Sequence, residues 1–242
     1  MTQSALLTLS AGSQRLILHE MNEYLRPMSA EARVRWALGT LSGAHVVSSS
    51  FGVQAAVMLH LMTRERPDIP VVLVDTGYLF TETYQFIDAL TERLSLNLTV
   101  TRAAESPAWQ EARHGELWTK GEAGLRAYNR MTKVEPMERA LQNLGAATWY
   151  SGVRRQQSKS RAQREIVEVS GGRARVHPIV DWSARDVHRY LTAHGLPYHP
   201  LWEEGYVSIG DRHTTRPLTD GMTEEATRFG GALRECGLHP EG

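Results

Sequence analysis

Two spacings of hydrophobic residues alternate along the chain. Short, continuous apolar runs predict buried strands at 45–49, 69–75, 96–101, 148–153 and 175–180. Apolar residues three and four positions apart predict helices at 53–62, 81–94, 135–144 and 183–195. Ser183 and Asp186 form a capping-box pattern at the start of the last helix, and Gly195 is its stop signal. Strands that alternate with helices of this length predict an α/β fold with a doubly wound, mainly parallel sheet.

The chain of 242 residues is expected to form a single domain, 1–242, with three regions. Residues 1–40 are predicted to be helical, with Ser29 as an N-cap. Residues 41–195 carry the alternating pattern and form the expected α/β core. Regular periodicity fades in residues 196–242, and we expect this C-terminal segment to be mobile.

Composition excludes several classes of protein. Lys plus Arg and Asp plus Glu each total 27, so a nonspecific nucleic-acid-binding surface is not expected. There is no apolar run of about 18 residues and no signal-peptide pattern, so we expect a cytoplasmic protein with no membrane partner. A single cysteine excludes an internal disulfide framework.

Polar residues that follow the first two long strands are candidates for a nucleotide site. Residues 48–52, SSSFG, place three hydroxyls and a glycine between a strand and a helix, where backbone N–H groups favour a phosphate. No Gly-Lys-Ser/Thr follows, so this is not a Walker A loop. Asp75 ends the next strand and could accept from a ribose hydroxyl or an adenine amine. Two structural alternatives stay open: Ser50 as a helix cap, and Asp75–Gly77 as a plain turn.

The fourth predicted strand, 148–153, leads into a cationic stretch, GVRRQQSKSRAQR at 152–164. It contains no acid and five cations: Arg154, Arg155, Lys159, Arg161 and Arg164. Such a stretch repels itself unless an anion binds, although a solvated basic loop is the simpler alternative. Together with the serine loop, it predicts a nucleotide with several negative groups.

The only cysteine, Cys236, lies in RECGLHP near the end of the chain. A thiolate is the attacking form of cysteine, and its pKa falls beside cations such as Arg234 or a protonated His239. Cys236 is therefore a candidate nucleophile, with a thiol of no function as the alternative.

Six stretches, in order, cover most of residues 45–239: SSSFGVQAAV, VDTGYLFTETY, KVEPMERAL, GVRRQQSKSR, YHPLWEEGYVSIGD and RECGLH. In this order they resemble the phosphoadenosine phosphosulfate (PAPS) reductases, thioredoxin-dependent enzymes of sulfate assimilation. The resemblance implies a nucleotide-binding fold of the adenine-nucleotide alpha-hydrolase (PP-loop) type. It also implies reduction of PAPS to sulfite and adenosine 3′,5′-bisphosphate by a homodimer, with thioredoxin, or alternatively glutaredoxin, as electron donor.

The same resemblance implies roles for individual residues. Cys236 would be the nucleophile and would pass through an S-sulfonate intermediate. The implied substrate-binding residues are Ser48, Ser49, Ser50 and Gly52 in the phosphate loop, Asp75, Thr76 and Gly77 at the nucleoside, and Lys133, Arg154 and Arg155 at the phosphosulfate and phosphates. Arg228, Arg234 and His239 are also expected to bind substrate. The residue that reads the 3′-phosphate stays open among Arg154, Arg155, Lys159 and Arg161.

Related reductases that act on adenosine phosphosulfate usually carry an iron–sulfur cluster on a Cys-Cys pair and a Cys-x-x-Cys. This chain has Tyr128 and Asn129 at the first pair and Asp211 and Thr214 at the second. With one cysteine a four-cysteine cluster is impossible, so we expect no bound cofactor, no metal, and PAPS as substrate.

Three other functions stay open. The first is adenosine phosphosulfate reduction, and the second is a noncatalytic nucleotide-binding module. The third is an ATP-dependent adenylating enzyme, which would require an SGGxDS-like loop where this chain has Phe51 and Gln54.

Overall fold

The computed structural model describes residues 11–231, which are built around a six-stranded sheet of order β3-β2-β1-β4-β6-β5. The neighbouring strands are parallel except for β5, which runs antiparallel to β6 at the edge. The strands are β1 (Ala44–Ser48), β2 (Pro70–Val74), β3 (Asn97–Thr101), β4 (Ala146–Tyr150), β5 (Val167–Ser170) and β6 (Arg173–Val176). The mainly parallel sheet predicted from the sequence is confirmed.

Helices connect the strands and cover both faces of the sheet. They are α1 (Ala11–Leu25), α2 (Ala30–Thr40), α3 (Ala56–Glu65), α4 (Thr81–Leu94), α5 (Pro107–His114), α6 (Gly121–Asn129), α7 (Glu135–Asn143) and α8 (Ala184–Ala193). Ser29 caps α2 by accepting the Ala32 N–H, and Ser183 forms the predicted capping box with Asp186 at the start of α8. Each cap satisfies N–H groups that have no partner within the helix.

Alternate residues of the central strands point to opposite faces and enter two separate cores. Val47 and Val71 belong to the larger core, which is built with α2, α3, α4 and α8. Val46 and Val72 belong to the smaller core on the other face, with residues of α7 such as Leu141. Burial on both faces explains why these strands are continuous apolar runs, and it confirms the doubly wound arrangement.

The structure differs from the predicted elements in two ways. Strand β5 and helices α5 and α6 were not predicted, because Glu168 in β5 and the many polar residues between 102 and 130 break the apolar periodicity. Strands β4 and β6 end three or four residues before the predicted limits. The apolar residues beyond their ends, Val153, Ile179 and Val180, are buried in loops instead.

Residues 196–231 form short 3₁₀ turns, as fading periodicity suggests, and they pack against the sheet domain. The His199 N–H donates to the Val53 carbonyl (3.0 Å), and the Arg212 N–H donates to the Tyr78 carbonyl (2.9 Å). Arg234, Cys236 and His239 lie outside the described residues. None of the helices within 11–231 has the length and hydropathy needed to span a bilayer.

Candidate active site

A cleft of about 460 Å³ opens at the carboxyl ends of β1, β2 and β4. The strand order reverses between β1 and β4, because β2 and β3 lie on one side of β1 while β4 and β6 lie on the other. Ligands bind at this switch point in doubly wound sheets. The predicted residues that line the cleft are Ser48, Ser49, Ser50, Gly52, Thr76, Lys133, Arg154 and Arg228.

Hydrogen bonds to two serine hydroxyls fix the loop after β1. The Ser48 hydroxyl oxygen accepts from the Trp149 indole N–H (2.7 Å), and the Ser49 hydroxyl oxygen accepts the Phe51 N–H (3.0 Å). Phe51 is fully buried with φ of 49°, a left-handed backbone conformation that costs free energy in a residue with a side chain. The N-cap of α3 is Ala55, and exposed Ser50 does not cap the helix. The loop therefore presents the Ser50 side chain to the cleft.

Lys133 reaches the cleft from a π-helical turn, Arg130–Val134, between α6 and α7. Pro136 has no N–H to donate to the carbonyl four residues earlier, and its ring clashes with that carbonyl. The Glu135 N–H correspondingly donates to Arg130, five residues back. Short π-helical turns of this kind are frequent at functional sites.

The Lys133 ammonium forms an ion pair with Asp211, with Nζ 2.6 Å from Oδ2. Burial by itself raises the pKa of the Asp211 carboxyl, but the Lys133 charge and the hydrogen bonds from Lys133 and Thr76 outweigh it and lower the pKa to about 2. Asp211 is therefore an anion at neutral pH, although its sequence position alone indicates no role for it in substrate binding. Its partner Thr76 is 135 positions away, so no local pattern could have indicated the contact.

Arg154 is a second buried cation that lines the cleft. Its guanidinium donates to the Gln54 side-chain oxygen (2.7 Å), and no carboxylate within residues 11–231 lies within 4 Å of it. Burial, followed by the charge of Arg161, lowers its pKa. The cleft wall as a whole carries four cations and two carboxylates: Lys133, Arg154, Arg161 and Arg228 with Asp211 and Glu224. This excess of positive charge suits an anionic ligand.

Asp75 and Gly77 do not line the cleft, in contrast to the prediction. The Asp75 carboxylate accepts from the Tyr84 hydroxyl (2.8 Å), the Gly77 N–H (2.8 Å) and the Arg102 Nε–H (2.9 Å). Gly77 has φ of 77°, and a Cβ there would meet the Pro107 ring at 2.5 Å. Asp75 and Gly77 thus form a turn in this structure, and their role at the nucleoside stays a prediction.

Arg155 also lies away from the cleft. Its guanidinium donates to the Arg164 carbonyl (2.7 Å) and to Glu165 (3.0 Å). Arg164 pairs with Glu168, and Lys159 is exposed and does not line the cleft. Arg154 and Arg161 are thus the two members of the cationic stretch that reach the site.

Comparison with known proteins defines the family. A family model described as phosphoadenosine phosphosulfate reductase domain matches residues 44–217, more than half of the chain. The chain belongs to the phosphoadenosine phosphosulfate reductase family. The match includes the serine loop, Thr76, Lys133, Arg154 and Asp211.

Individual relatives agree with this family. A phosphoadenosine 5′-phosphosulfate reductase of Alkalilimnicola ehrlichii is 65% identical over 92% of this chain and 91% of its own length. One from Vibrio parahaemolyticus is 59% identical over 98% and 91%, respectively. Among solved structures, PAPS reductase of Candida auris in a phosphate complex superposes with a TM-score of 0.73 at 27% identity, covering 86% of this chain and 98% of the other.

The fold extends beyond the PAPS reductase family. FMN adenylyltransferase of Candida glabrata superposes with a TM-score of 0.57 at 17% identity, over 91% of this chain and 73% of the other. At that identity the likeness concerns the fold alone.

Proposed function

We propose that this protein reduces PAPS to sulfite and adenosine 3′,5′-bisphosphate in assimilatory sulfate reduction, with thioredoxin as electron donor. The observation that carries the proposal is the cationic cleft of a PAPS reductase family chain, in which buried Arg154 has no carboxylate partner among residues 11–231. Family membership supports the substrate. Use of thioredoxin, assembly as a homodimer and a cytoplasmic location are further parts of the proposal.

Cys236 is the proposed nucleophile of the first half-reaction. Its thiolate attacks the sulfur of the phosphate–sulfate anhydride, an S–S bond forms, and the bond between that sulfur and the bridging oxygen breaks. Adenosine 3′,5′-bisphosphate leaves with the electron pair of the broken bond. Lys133 and Arg154, which line the cleft, stabilise the charge that develops on the leaving phosphate.

The second half-reaction supplies the electrons. A thioredoxin thiolate attacks the Cys236 sulfur, the bond to the sulfonate breaks, and sulfite leaves with the electron pair. The second thioredoxin thiol then attacks the mixed disulfide, which frees Cys236 and leaves oxidised thioredoxin. Two electrons pass from the dithiol to the sulfonate sulfur. Serine at position 236 could not complete this cycle, because the second step requires a bond between two sulfur atoms.

PAPS differs from adenosine phosphosulfate by its 3′-phosphate, and this group is the proposed basis of substrate choice. Of the four cations considered for the 3′-phosphate, only Arg154 and Arg161 line the cleft. A chain with one cysteine also has no set of four thiolates for the cluster usual in adenosine phosphosulfate reductases. We therefore expect faster sulfite release from PAPS than from adenosine phosphosulfate.

The decisive experiment is incubation of the protein with PAPS in the absence of thioredoxin. We expect a single adduct on Cys236 with the mass of one SO₃ group, and release of one equivalent of adenosine 3′,5′-bisphosphate. Reduced thioredoxin should then discharge the adduct as sulfite. Cys236→Ser should bind PAPS and form no adduct. Sulfite release by Cys236→Ser at the wild-type rate would contradict the mechanism, and PAPS binding without turnover by the wild type would favour the noncatalytic module.

A further inference from the structure

The Asp211 side chain joins three separate parts of the chain at the floor of the cleft. It is 1% exposed, and its two oxygens accept from Thr76 after β2, from the Tyr128 hydroxyl of α6 (3.0 Å) and from Lys133 in the π-helical turn (2.6 Å). Three donors on one buried carboxylate satisfy most of its acceptor sites. This carboxylate is therefore fixed in place, and it has little capacity left for contact with a ligand.

The backbone around Asp211 is also fixed, by a β-bridge and two hydrogen bonds. Asp211 forms an antiparallel bridge with Leu79, and the next residue donates its N–H to the Tyr78 carbonyl (2.9 Å). The Thr214 N–H donates back to the Asp211 carbonyl (3.1 Å). The anion is thus attached to the loop that follows β2, which itself borders the cleft.

The Lys133 ammonium lies between this anion and two aromatic rings. The Asp211 carboxylate is the one anionic group within 4 Å of the Lys133 ammonium among residues 11–231. The Tyr128 and Phe229 rings flank the ammonium, each with its centroid 5.4 Å away. A lysine has four rotatable stem bonds, so a point charge on it is placed accurately only when another group fixes it.

We propose that Asp211 is the positioning residue for Lys133, and that it acts on the reaction only by holding the ammonium where the anhydride group of the substrate binds. The proposal rests on the proposed function for the identity of that group. The carboxylate itself does not touch substrate, because its oxygens are already used by Thr76, Tyr128 and Lys133. A fixed ammonium needs no rearrangement when charge develops on the leaving oxygen, so the pair favours the transition state.

A double-mutant cycle tests this coupling, with the variants Asp211→Asn, Lys133→Met and the two combined. Asp211→Asn keeps the shape of the side chain and removes its charge. We expect it to lower kcat/KM for PAPS by about tenfold to a hundredfold, the usual loss for a displaced catalytic charge. In the Lys133→Met background the same substitution should change kcat/KM by less than about threefold, because the group that Asp211 positions is absent. An equal loss in both backgrounds would overturn the proposal.

Two controls separate positioning from general damage to the fold. Asp181→Asn removes the carboxylate of another ion pair, with Arg33 (2.7 Å), away from the cleft, and it should leave kcat/KM at the wild-type value. The affinity for uncharged adenosine should also be unchanged in Asp211→Asn, since Lys133 contacts a charged group. A parallel loss of adenosine affinity would indicate a structural role and contradict positioning.

A second variant covers the case in which Asp211→Asn does not fold. Asp211→Glu keeps the charge and moves it by one methylene, so we expect a loss of at least about tenfold that again disappears in the Lys133→Met background. A loss that persists in that background would overturn the proposal. If the wild type releases no sulfite from PAPS, the proposed function fails. The coupling between Asp211 and Lys133 is then measured as the PAPS affinity of the same variants by calorimetry.

Discussion

Arg102 forms an ion pair with Asp75, in which its Nε–H donates to Oδ2 (2.9 Å) and its Nη2 lies 2.9 Å from the same oxygen. The other carboxylate oxygen accepts from the Tyr84 hydroxyl and the Gly77 N–H. Asp75 is 5% exposed and does not line the cleft, so it stabilises the turn after β2 and the start of α4. This acidic residue at the end of a central strand thus has a structural role, and the nucleoside contact that the sequence suggests for it stays a prediction.

Replacing Asp75 should lower stability before it lowers ligand affinity. Asp75→Ala leaves the Tyr84 hydroxyl and the Gly77 N–H without their acceptor, and we expect a loss of about 1–3 kcal/mol in the free energy of unfolding. Asp88→Ala, an exposed position of α4, is the control and should change it by less than about 0.5 kcal/mol. Urea denaturation measures both. Weaker adenosine binding by Asp75→Ala at unchanged stability would show that Asp75 binds the nucleoside.

Arg154 and Arg155 should differ in their effect on PAPS affinity. Arg154→Gln removes a buried cation from the cleft wall, and we expect PAPS to bind more weakly by about 1.5–3 kcal/mol, or roughly tenfold to a hundredfold. Arg155→Gln removes a guanidinium that binds Glu165, and it should leave the affinity close to the wild-type value. Calorimetric titration of both variants with PAPS measures the difference, and equal losses would show that Arg155 also reaches the ligand.

The sheet and the place of the cleft could be predicted because they follow from local patterns. Continuous apolar runs such as residues 69–75 indicate strands buried on both faces, and parallel strands bring their carboxyl ends to one edge. The serine loop and the cationic stretch follow two neighbouring strands, β1 and β4, so they had to meet. This prediction did not require knowledge of any side-chain contact.

Side-chain direction within the cationic stretch could not be predicted in the same way. Arg154 is in an extended conformation (φ −129°, ψ 142°) and lines the cleft, whereas its neighbour Arg155 begins a 3₁₀ turn and donates to Arg164 and Glu165. Which of the two side chains reaches the cleft depends on the loop conformation after β4, and the predicted limit of that strand, residue 153, was three residues beyond the observed one. The ion pair between Asp211 and Lys133 could not be predicted either, because the two residues are 78 positions apart and only the tertiary fold brings them together.

Acid should destabilise the fold through His199 in the range between pH 6.5 and 4. The Leu201 N–H donates to Nδ1 (3.2 Å), and Nε2 lies 3.0 Å from the Thr83 hydroxyl, so the ring is held neutral. Burial lowers the pKa of His199 to about 4. Between the unfolded value near 6.5 and about 4 the unfolded chain binds more protons, and stability therefore falls as the pH falls through this window.

Urea denaturation at pH 7.5, 6 and 5 measures the contribution of His199, which is at most about 1.4 kcal/mol per pH unit. His199→Asn retains an acceptor for the Leu201 N–H and does not titrate, so its stability should depend less on pH in this range. Asp211 contributes in a lower window, since its pKa of about 2 is below its ordinary value and stability is lost only below about pH 3.8. If the free energy of unfolding of His199→Asn depends on pH as steeply as that of the wild type, the acid sensitivity arises from other groups.

Phe51 combines a fully buried ring with a left-handed backbone. The buried position favours a large side chain, whereas the left-handed backbone favours glycine. Phe51→Ala and Phe51→Gly both leave a cavity in the core, which costs about 3–5 kcal/mol for a phenylalanine. They differ in the backbone, because φ of 49° is strained for alanine and free for glycine. We therefore expect Phe51→Gly to be the more stable of the two.

The control is Val57, fully buried within α3, where Val57→Gly should be less stable than Val57→Ala by about 1 kcal/mol. Thermal unfolding of the four variants measures both orders. The same order at both positions would mean that the loop does not hold Phe51 in the left-handed conformation, and that the serine loop is shaped by something other than its buried phenylalanine.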